Sequence, residues 1–230
     1  MMNQEITRIL SSAEKTGWVL EPEAKRLLKI AGLPVPNFLW AKTLEQASAF
    51  AERIGYPVTA KIVSPKAIHK SDINGVVVGT KDYASLKETH KRFQNLEEFS
   101  GILIEEIVSG LEMIIGAKTD YQFGPVILLG IGGTGVEIYQ DTVLRMAPLM
   151  EKDVVSMIRG LKAHQLIEGY RGHPPVDIKA LTRLLLDFSG LVMEISDNIE
   201  SIDLNPVMCS SDNCIVADAR IILRKKESKN

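Results

Sequence analysis

Three short stretches of this chain carry residue types and spacings suited to phosphate chemistry. In residues 57–78, Lys61 lies on an apolar run, a polar loop follows with Lys66, His69 and Lys70, and Asn74-Gly75 opens a second apolar run. A lysine supplies a compact positive charge, and the amides of such a loop can form an anion-binding concavity. An imidazole accepts or passes a proton, or a phosphoryl group, near neutral pH. A surface lysine on an edge strand is the competing account of Lys61 taken alone. The second stretch, Ile102-Leu103-Ile104-Glu105-Glu106, runs out as a strand and resumes near Glu112. Amides and carbonyls between Glu105 and Val108 would suit an adenine edge, and Glu112 could hold ribose hydroxyls. An ordinary hairpin with solvated acids explains the same pattern. In the third stretch Asp203 and Asn205 stand two positions apart, hence on one side of a strand, and Asp218 follows on the next. Hard oxygen donors from neighbouring strands are what Mg²⁺ takes when phosphates and waters complete its shell.

The glycine cluster Gly130-Ile131-Gly132-Gly133-Thr134-Gly135 matches G-x-G-x-x-G. A dinucleotide site requires a helix to open behind it, whereas Val136 to Tyr139 alternates like a strand. A bulged or closely packed strand is the preferred account of these glycines. The phosphate-loop pattern G-x-x-x-x-G-K-[ST] is absent.

The elements that must position these groups follow from periodicity. Residues 1–16 have helical spacing and read as a helix or an arm. Pro22 opens a helix with Ala24, Leu27, Leu28 and Ala31 on one face, stopped at Gly32. Pro34 and Pro36 lead into a strand at 38–41. Thr43 caps a helix to Gly55. Strands at 58–63 and 76–80 flank the His69 loop, and Asp82 caps a helix to about Phe99. Beyond Gly101 the pattern predicts strands at 102–108, 112–118 and 126–129. Helices near 151–161 and 178–196 follow, then strands at 199–204 and 214–219. Residues 224–230 read as disordered. Strands outnumber helical crossovers, so the expected class is α+β with two lobes and mixed sheets. The lobes are expected at 37–102 and at 1–36 with 103–230.

Of the 230 residues, 45% are hydrophobic and 24% charged, the composition of a globular domain. A net charge of -2 gives no global electrostatic case for nucleic acid. No apolar run reaches the roughly 18–20 residues that span a bilayer, and the N-terminus lacks a signal-peptide core. Neither nucleic acid nor membrane is therefore an expected partner. Two cysteines, Cys209 and Cys214, are too few for a disulfide scaffold. Reduced thiols in the cytoplasm are the expectation.

In this order and spacing the blocks resemble the ATP-grasp fold. More narrowly, the chain resembles the β subunits of ADP-forming acyl-CoA (acetate–CoA) synthetases, relatives of succinyl-CoA synthetase. The matching segments are Leu20-Glu21-Pro22-Glu23-Ala24-Lys25, Gly32-Leu33-Pro34-Val35-Pro36, residues 57–78 and 105–116, Phe123-Gly124-Pro125, the glycine cluster, and Asp203-Leu204-Asn205-Pro206. Together they cover nearly the whole chain. His69-Lys70-Ser71-Asp72 and Phe123-Gly124-Pro125 are what separate this family from other ATP-grasp enzymes. One departure is Asn74, where the family loop closes with two glycines; asparagine tolerates positive φ, so the turn can survive.

The resemblance implies ATP or ADP with Mg²⁺ in a cleft between two lobes. It implies that Lys61 contacts the phosphates, with Lys70 and Gly75 in the same phosphate loop. The segment from Glu105 to Val108 would take adenine and Glu112 the ribose. Asn205 and Asp218 would bind Mg²⁺, with Asp203 assisting phosphoryl transfer. His69 would carry the phosphoryl group on a swinging loop, receiving it from a histidine of a separate CoA-binding α subunit and passing it to ADP. The partnership would be an α2β2 heterotetramer, with CoA and acyl chemistry left to α. A stand-alone ATP-grasp carboxylate ligase would need no carrier histidine, and a non-catalytic nucleotide-binding module would need neither Lys61 nor the metal ligands.

Overall fold

Alternation along the strands sorts the buried side chains into two hydrophobic clusters, each on one face of its own sheet. The computed structural model describes residues 3–133, 140–172 and 174–225. The chain divides into two units: Met1–Val19, Glu23–Val35 and Ser109–Asn230, and Leu20–Pro22 with Pro36–Val108.

The smaller unit is built on four antiparallel strands, β2 (Phe38–Ala41), β3 (Val58–Val63), β4 (Val76–Thr80) and β5 (Gly101–Glu106), in the order β2-β5-β3-β4. Helices α3 (Leu44–Ile54) and α4 (Tyr83–Gln94) cover one face. Their Ala47, Phe50, Leu86 and Phe93 pack on Val58, Ala60, Ile62, Ile102 and Ile104. The opposite face of β3 carries Thr59, Lys61 and Val63. Both helices start where capping predicts. Thr43 accepts from the Gln46 amide, and Asp82 forms a reciprocal box with Ser85.

Among the described residues the larger unit has seven antiparallel strands. They are β1 (Trp18–Val19), β6 (Leu111–Asp120), β7 (Gly124–Ile131), β8 (Thr142–Met146), β9 (Ile199–Cys209), β10 (Cys214–Val216) and β11 (Ala219–Leu223). The order is β1-β11-β9-β6-β7-β8, with β10 also on β9. The core combines Met113, Ile115 and Ala117 of β6 with Ile127 and Leu129 of β7. Onto it pack α1 (Gln4–Ser12), α2 (Glu21–Ile30), α5 (Glu151–Gly160) and α7 (Ile178–Ile195), with the short α6 (Gln165–Glu168) beside them.

Several expectations are revised. Every described strand pair is antiparallel, so the sheets are not mixed. Hairpins such as β6–β7 and β9–β10 join neighbours directly, which only antiparallel pairing allows. Residues 4–12 are no loose arm, because Ile6, Ile9 and Leu10 are buried in the core. β5 lies wholly in the small sheet, so the units part at Val108/Ser109 and not at residue 102. Helix α4 ends at Gln94, where Asn95 caps it, short of Phe99. The strand predicted at 199–204 runs on to Cys209, and the one at 214–219 breaks at Ala217-Asp218. Arg224 is tied down, its amide donating to the Asn198 carbonyl at 2.9 Å; residues 226–230 lie outside the described set. Among the described residues no helix is long and apolar enough to cross a membrane.

Candidate functional site

Lys61 is on an inner strand of the small sheet, not an edge, and is only 5% exposed. The register that sets Thr59 opposite Glu105 and Lys61 opposite Leu103 puts Lys61 and Glu105 diagonally on one face. Their ion pair closes at 2.7 Å. Lys61 Nζ also donates to Glu21 Oε1 at 2.8 Å, and Glu21 Oε2 lies 2.8 Å from Lys70 Nζ. Glu105, Lys61, Glu21 and Lys70 thus form a buried row of two cations and two anions. Buried charges persist only when paired in this way. The sequence reading had Lys61, Lys70 and Glu105 as separate site residues; Glu21, which joins them, was missed. Its signals were its place in the matching block Leu20 to Lys25 and at the start of an amphipathic helix, where the helix dipole favours an acid.

Glu105 therefore belongs to the sheet in backbone as well as side chain. β5 runs through Glu106, whose amide donates to the Asn37 carbonyl and whose carboxylate accepts from Asn37 N and Nδ2, both at 2.9 Å. The irregular segment begins at Ile107, includes Val108, and ends at Gly110. A side chain on Gly110 would meet the Cys209 backbone, so the connection approaches β9 closely there.

The His69 loop is pinned at its base and open at its tip. Ser64 Oγ donates to the Glu97 carbonyl at 2.7 Å, and Ala67 is buried. Lys70–Ile73 form a 3-10 turn ending at Asn74, whose φ of 51° and ψ of 35° are left-handed. Asparagine thus fills the position where the resemblance expects glycine. Gly75 donates to the Lys70 carbonyl at 2.7 Å and accepts from Ile62 N at 2.8 Å. A Cβ on Gly75 would stand 2.6 Å from Ile62 Cγ2, so close packing explains that glycine. His69 itself is exposed, at the mouth of the 3-10 turn.

In the large unit the decisive feature is a β-bulge. Opposite Met113 and Ile115 of β6, strand β9 offers Val207 and Leu204, one residue too many. The extra residue falls at Asn205-Pro206, and proline, which cannot donate to the ladder, is tolerated there. Leu204 and Val207 are both fully buried while Asn205 between them is exposed. Ala217 N and Asp218 N both donate to the Pro206 carbonyl, at 3.0 and 3.4 Å. The break between β10 and β11 therefore sets Asp218 beside Asn205. Lys25, fully buried in α2, braces the break by donating to the Ala217 carbonyl at 2.8 Å. Two positions before Asn205, Asp203 is half-exposed and paired with Arg220 Nη2 at 3.1 Å. Lys25 and Arg220 were not singled out from the sequence.

Exposed Glu112 is the second residue of β6. The Gly132 amide donates to its carbonyl at 2.6 Å, and Gly133 lies along its carboxylate. A Cβ on Gly132 would stand 2.8 Å from the Glu112 backbone, so Gly132 serves close packing, as preferred above. Residues 134–139, including Gly135 and the run Val136 to Tyr139, lie outside the described set. A cavity of about 580 Å³ near α1 and the end of β11 contains none of the candidate residues.

Among the described residues no three His, Cys, Asp or Glu side chains gather to hold a metal. Asn205 with Asp218 still suits Mg²⁺, which takes one or two protein oxygens and leaves the rest of its octahedron to phosphates and water.

The family model for the ATP-grasp domain matches residues 11–223. The chain is 42% identical over 216 residues to the β subunit of ADP-forming acetate–CoA ligase II of Pyrococcus furiosus, covering 90% of this chain and 92% of that one. The chain belongs to the ATP-grasp β subunits of ADP-forming acetate–CoA ligases. Two structures of the dinucleotide-forming acetyl-coenzyme A synthetase 1 of Ca. Korarchaeum cryptofilum resemble this ATP-grasp chain. Each is 38% identical and covers 95% of this chain and all of that one, with TM-scores of 0.85 and 0.84. In the first, with coenzyme A and acetyl-coenzyme A, a phosphorylated phosphohistidine segment is in a site I orientation. In the second, with coenzyme A and Mg-AMPPCP, that segment points towards the nucleotide-binding site. The relatives' designation as β subunits implies a partner subunit for this ATP-grasp chain.

Proposed function

We propose that this chain is the nucleotide-binding subunit of an ADP-forming acyl-CoA synthetase, acyl-CoA + ADP + phosphate ⇌ carboxylic acid + CoA + ATP. CoA and acyl chemistry belong to a CoA-binding α subunit, in an α2β2 assembly. The observation that carries the reading is the bulge in β9, which turns Asn205 outward beside Asp218 in a chain of this family.

His69 takes a phosphoryl group on a ring nitrogen from the partner subunit and gives it up to the terminal phosphate oxygen of ADP. Lys61 and the amides of the 64–75 loop bind nucleotide phosphates, with Lys70 and Gly75 setting the shape of that loop. The segment leaving Glu105 through Val108 takes adenine, and Glu112 takes ribose hydroxyls. Asn205 and Asp218 hold Mg²⁺, which neutralises phosphate charge when bound. Asp203, oriented by Arg220, borders the same group of donors. Phosphoryl transfer of this kind depends on positioning and charge neutralisation more than on covalent work by the protein.

Asp218→Ala should keep the fold, since the side chain is half-exposed at a strand break, and should weaken Mg-ADP binding at least about tenfold. Calorimetry showing unchanged Mg-ADP affinity would remove the metal assignment. His69→Ala, assembled with its partner, should abolish ATP synthesis from acyl-CoA, ADP and phosphate; near-normal synthesis would remove the carrier assignment.

A further inference from the structure

One carboxylate contacts two buried lysines of the small unit, Lys61 and Lys70. Glu21 offers one oxygen to Lys61 and the other to Lys70, each at 2.8 Å, and is 2% exposed. Lys70 follows His69 directly, and its carbonyl accepts the Gly75 amide that closes the loop. The backbone of Lys70 thus belongs to the histidine segment while its ammonium is held by a helix outside that segment. Other ties lie at the two ends: Ser64 and buried Ala67 at the entry, and Arg92 Nη2 donating to the Asn74 carbonyl at 3.0 Å at the exit.

We infer that Glu21 is a positioning residue, a latch that holds the histidine segment through Lys70 and couples its grip to what occupies Lys61. The inference rests on the function proposed above. With no nucleotide phosphate at Lys61, Glu21 attracts both Lys61 and Lys70, and Glu105 shares Lys61 with it at 2.7 Å. A phosphate arriving at Lys61 takes up part of that cation's charge. Glu21 is then drawn more fully to Lys70. Nucleotide phosphate therefore tightens the latch, and its departure loosens the segment that bears His69. One carboxylate with two oxygens is the smallest device that can make the two events interdependent, because the lysines do not bridge to each other directly.

Amide hydrogen exchange across residues 64–74 tests this in the full chain, with and without Mg-AMPPCP. In the unsubstituted chain the bound analogue should slow exchange across the segment. Glu21→Gln and Lys70→Met should each speed it by about tenfold or more and abolish the response to analogue, while β3 and β5 stay protected. A general loss of structure would strip protection from the strands as well. If Glu21→Gln does that, Lys70→Met decides alone, since it leaves Lys61 between both carboxylates. Segment exchange like that of the unsubstituted chain, in a variant whose strands stay protected, overturns the latch. Bound analogue without slowing in the unsubstituted chain overturns the coupling. Failure of Mg-AMPPCP to bind in calorimetry would instead overturn the proposed function.

Discussion

Replacing Lys61 by methionine preserves much of the side chain's length and removes its charge. The loss removes a cation from Glu21, which keeps Lys70, and from Glu105; the two carboxylates are each 2% exposed and lie 2.8 and 2.7 Å from the Lys61 ammonium. At an effective dielectric of about 20, a pair at that separation attracts by about 6 kcal/mol before desolvation is counted. Relaxation, water entry and proton uptake recover part of the loss, and breaking a buried pair from one side typically costs about 3–5 kcal/mol. With a urea slope of about 2 kcal/mol/M, the unfolding midpoint should drop by roughly 2 M. Trp40, on β2, reports on the small unit once the other tryptophan is removed by Trp18→Phe. In that background, Lys61→Met/Glu105→Gln should recover part of the deficit, because removing both members of a buried pair costs less than removing one. A single variant within about 0.5 kcal/mol of the parent would refute the reasoning. So would a double variant as destabilised as the sum of its parts.

Two further outcomes follow from groups outside the site. His90, on α4, lies edge-on to Phe99 with ring centroids 5.6 Å apart, and burial pushes its imidazole below the ordinary value of 6.5, with Glu45 opposing. The unfolded chain then takes up the proton first, so the contribution of neutral His90 is complete above pH 6.5 and is lost as the pH falls below it. His90→Leu should flatten the decline in Trp40-monitored stability between about pH 6.5 and 5; an identical slope in both proteins would contradict the assignment. Cys209 stands directly opposite Cys214 in the β9–β10 pair; hydrogen bonding to Cys214 and then burial push its thiol well above the ordinary range. Ellman's reagent should therefore label this thiol only as the chain unfolds, and prompt modification of folded protein at Cys209 would refute the burial argument.

Local rules carried much of the architecture. Thr43 and Asp82 start their helices because a side-chain oxygen three residues upstream satisfies an otherwise unpaired amide, a relation wholly within a few residues. Asn74 takes the left-handed conformation for an equally local reason. The burial of alternate residues in β6 and β9 was likewise readable as period-two patterning. The spacing of Asp203 and Asn205 put both on one side of β9, whereas Asp218, expected on the neighbouring strand, falls at the break between β10 and β11. The family resemblance rested on such blocks, and the ATP-grasp match confirms it.

What the pattern could not contain was partnership across distance. Glu21 and Lys61 are forty residues apart, and no local pattern pairs that carboxylate with that lysine. The bulge at Asn205-Pro206 exists only relative to β6, and Lys25 supports the turn at Ala217, 192 residues further along the chain. Strand length misled for the same reason: β9 continues past Pro206 because β6 and β10 supply its partners, and β5 reaches Glu106 because β2 and β3 do. Local sequence specifies which residues are helical, extended, capped or outward-facing, since those preferences are settled within a turn or two. Which carboxylate meets which lysine, and where a strand must bulge, depends on register between distant segments, and only packing of the whole unit sets that register.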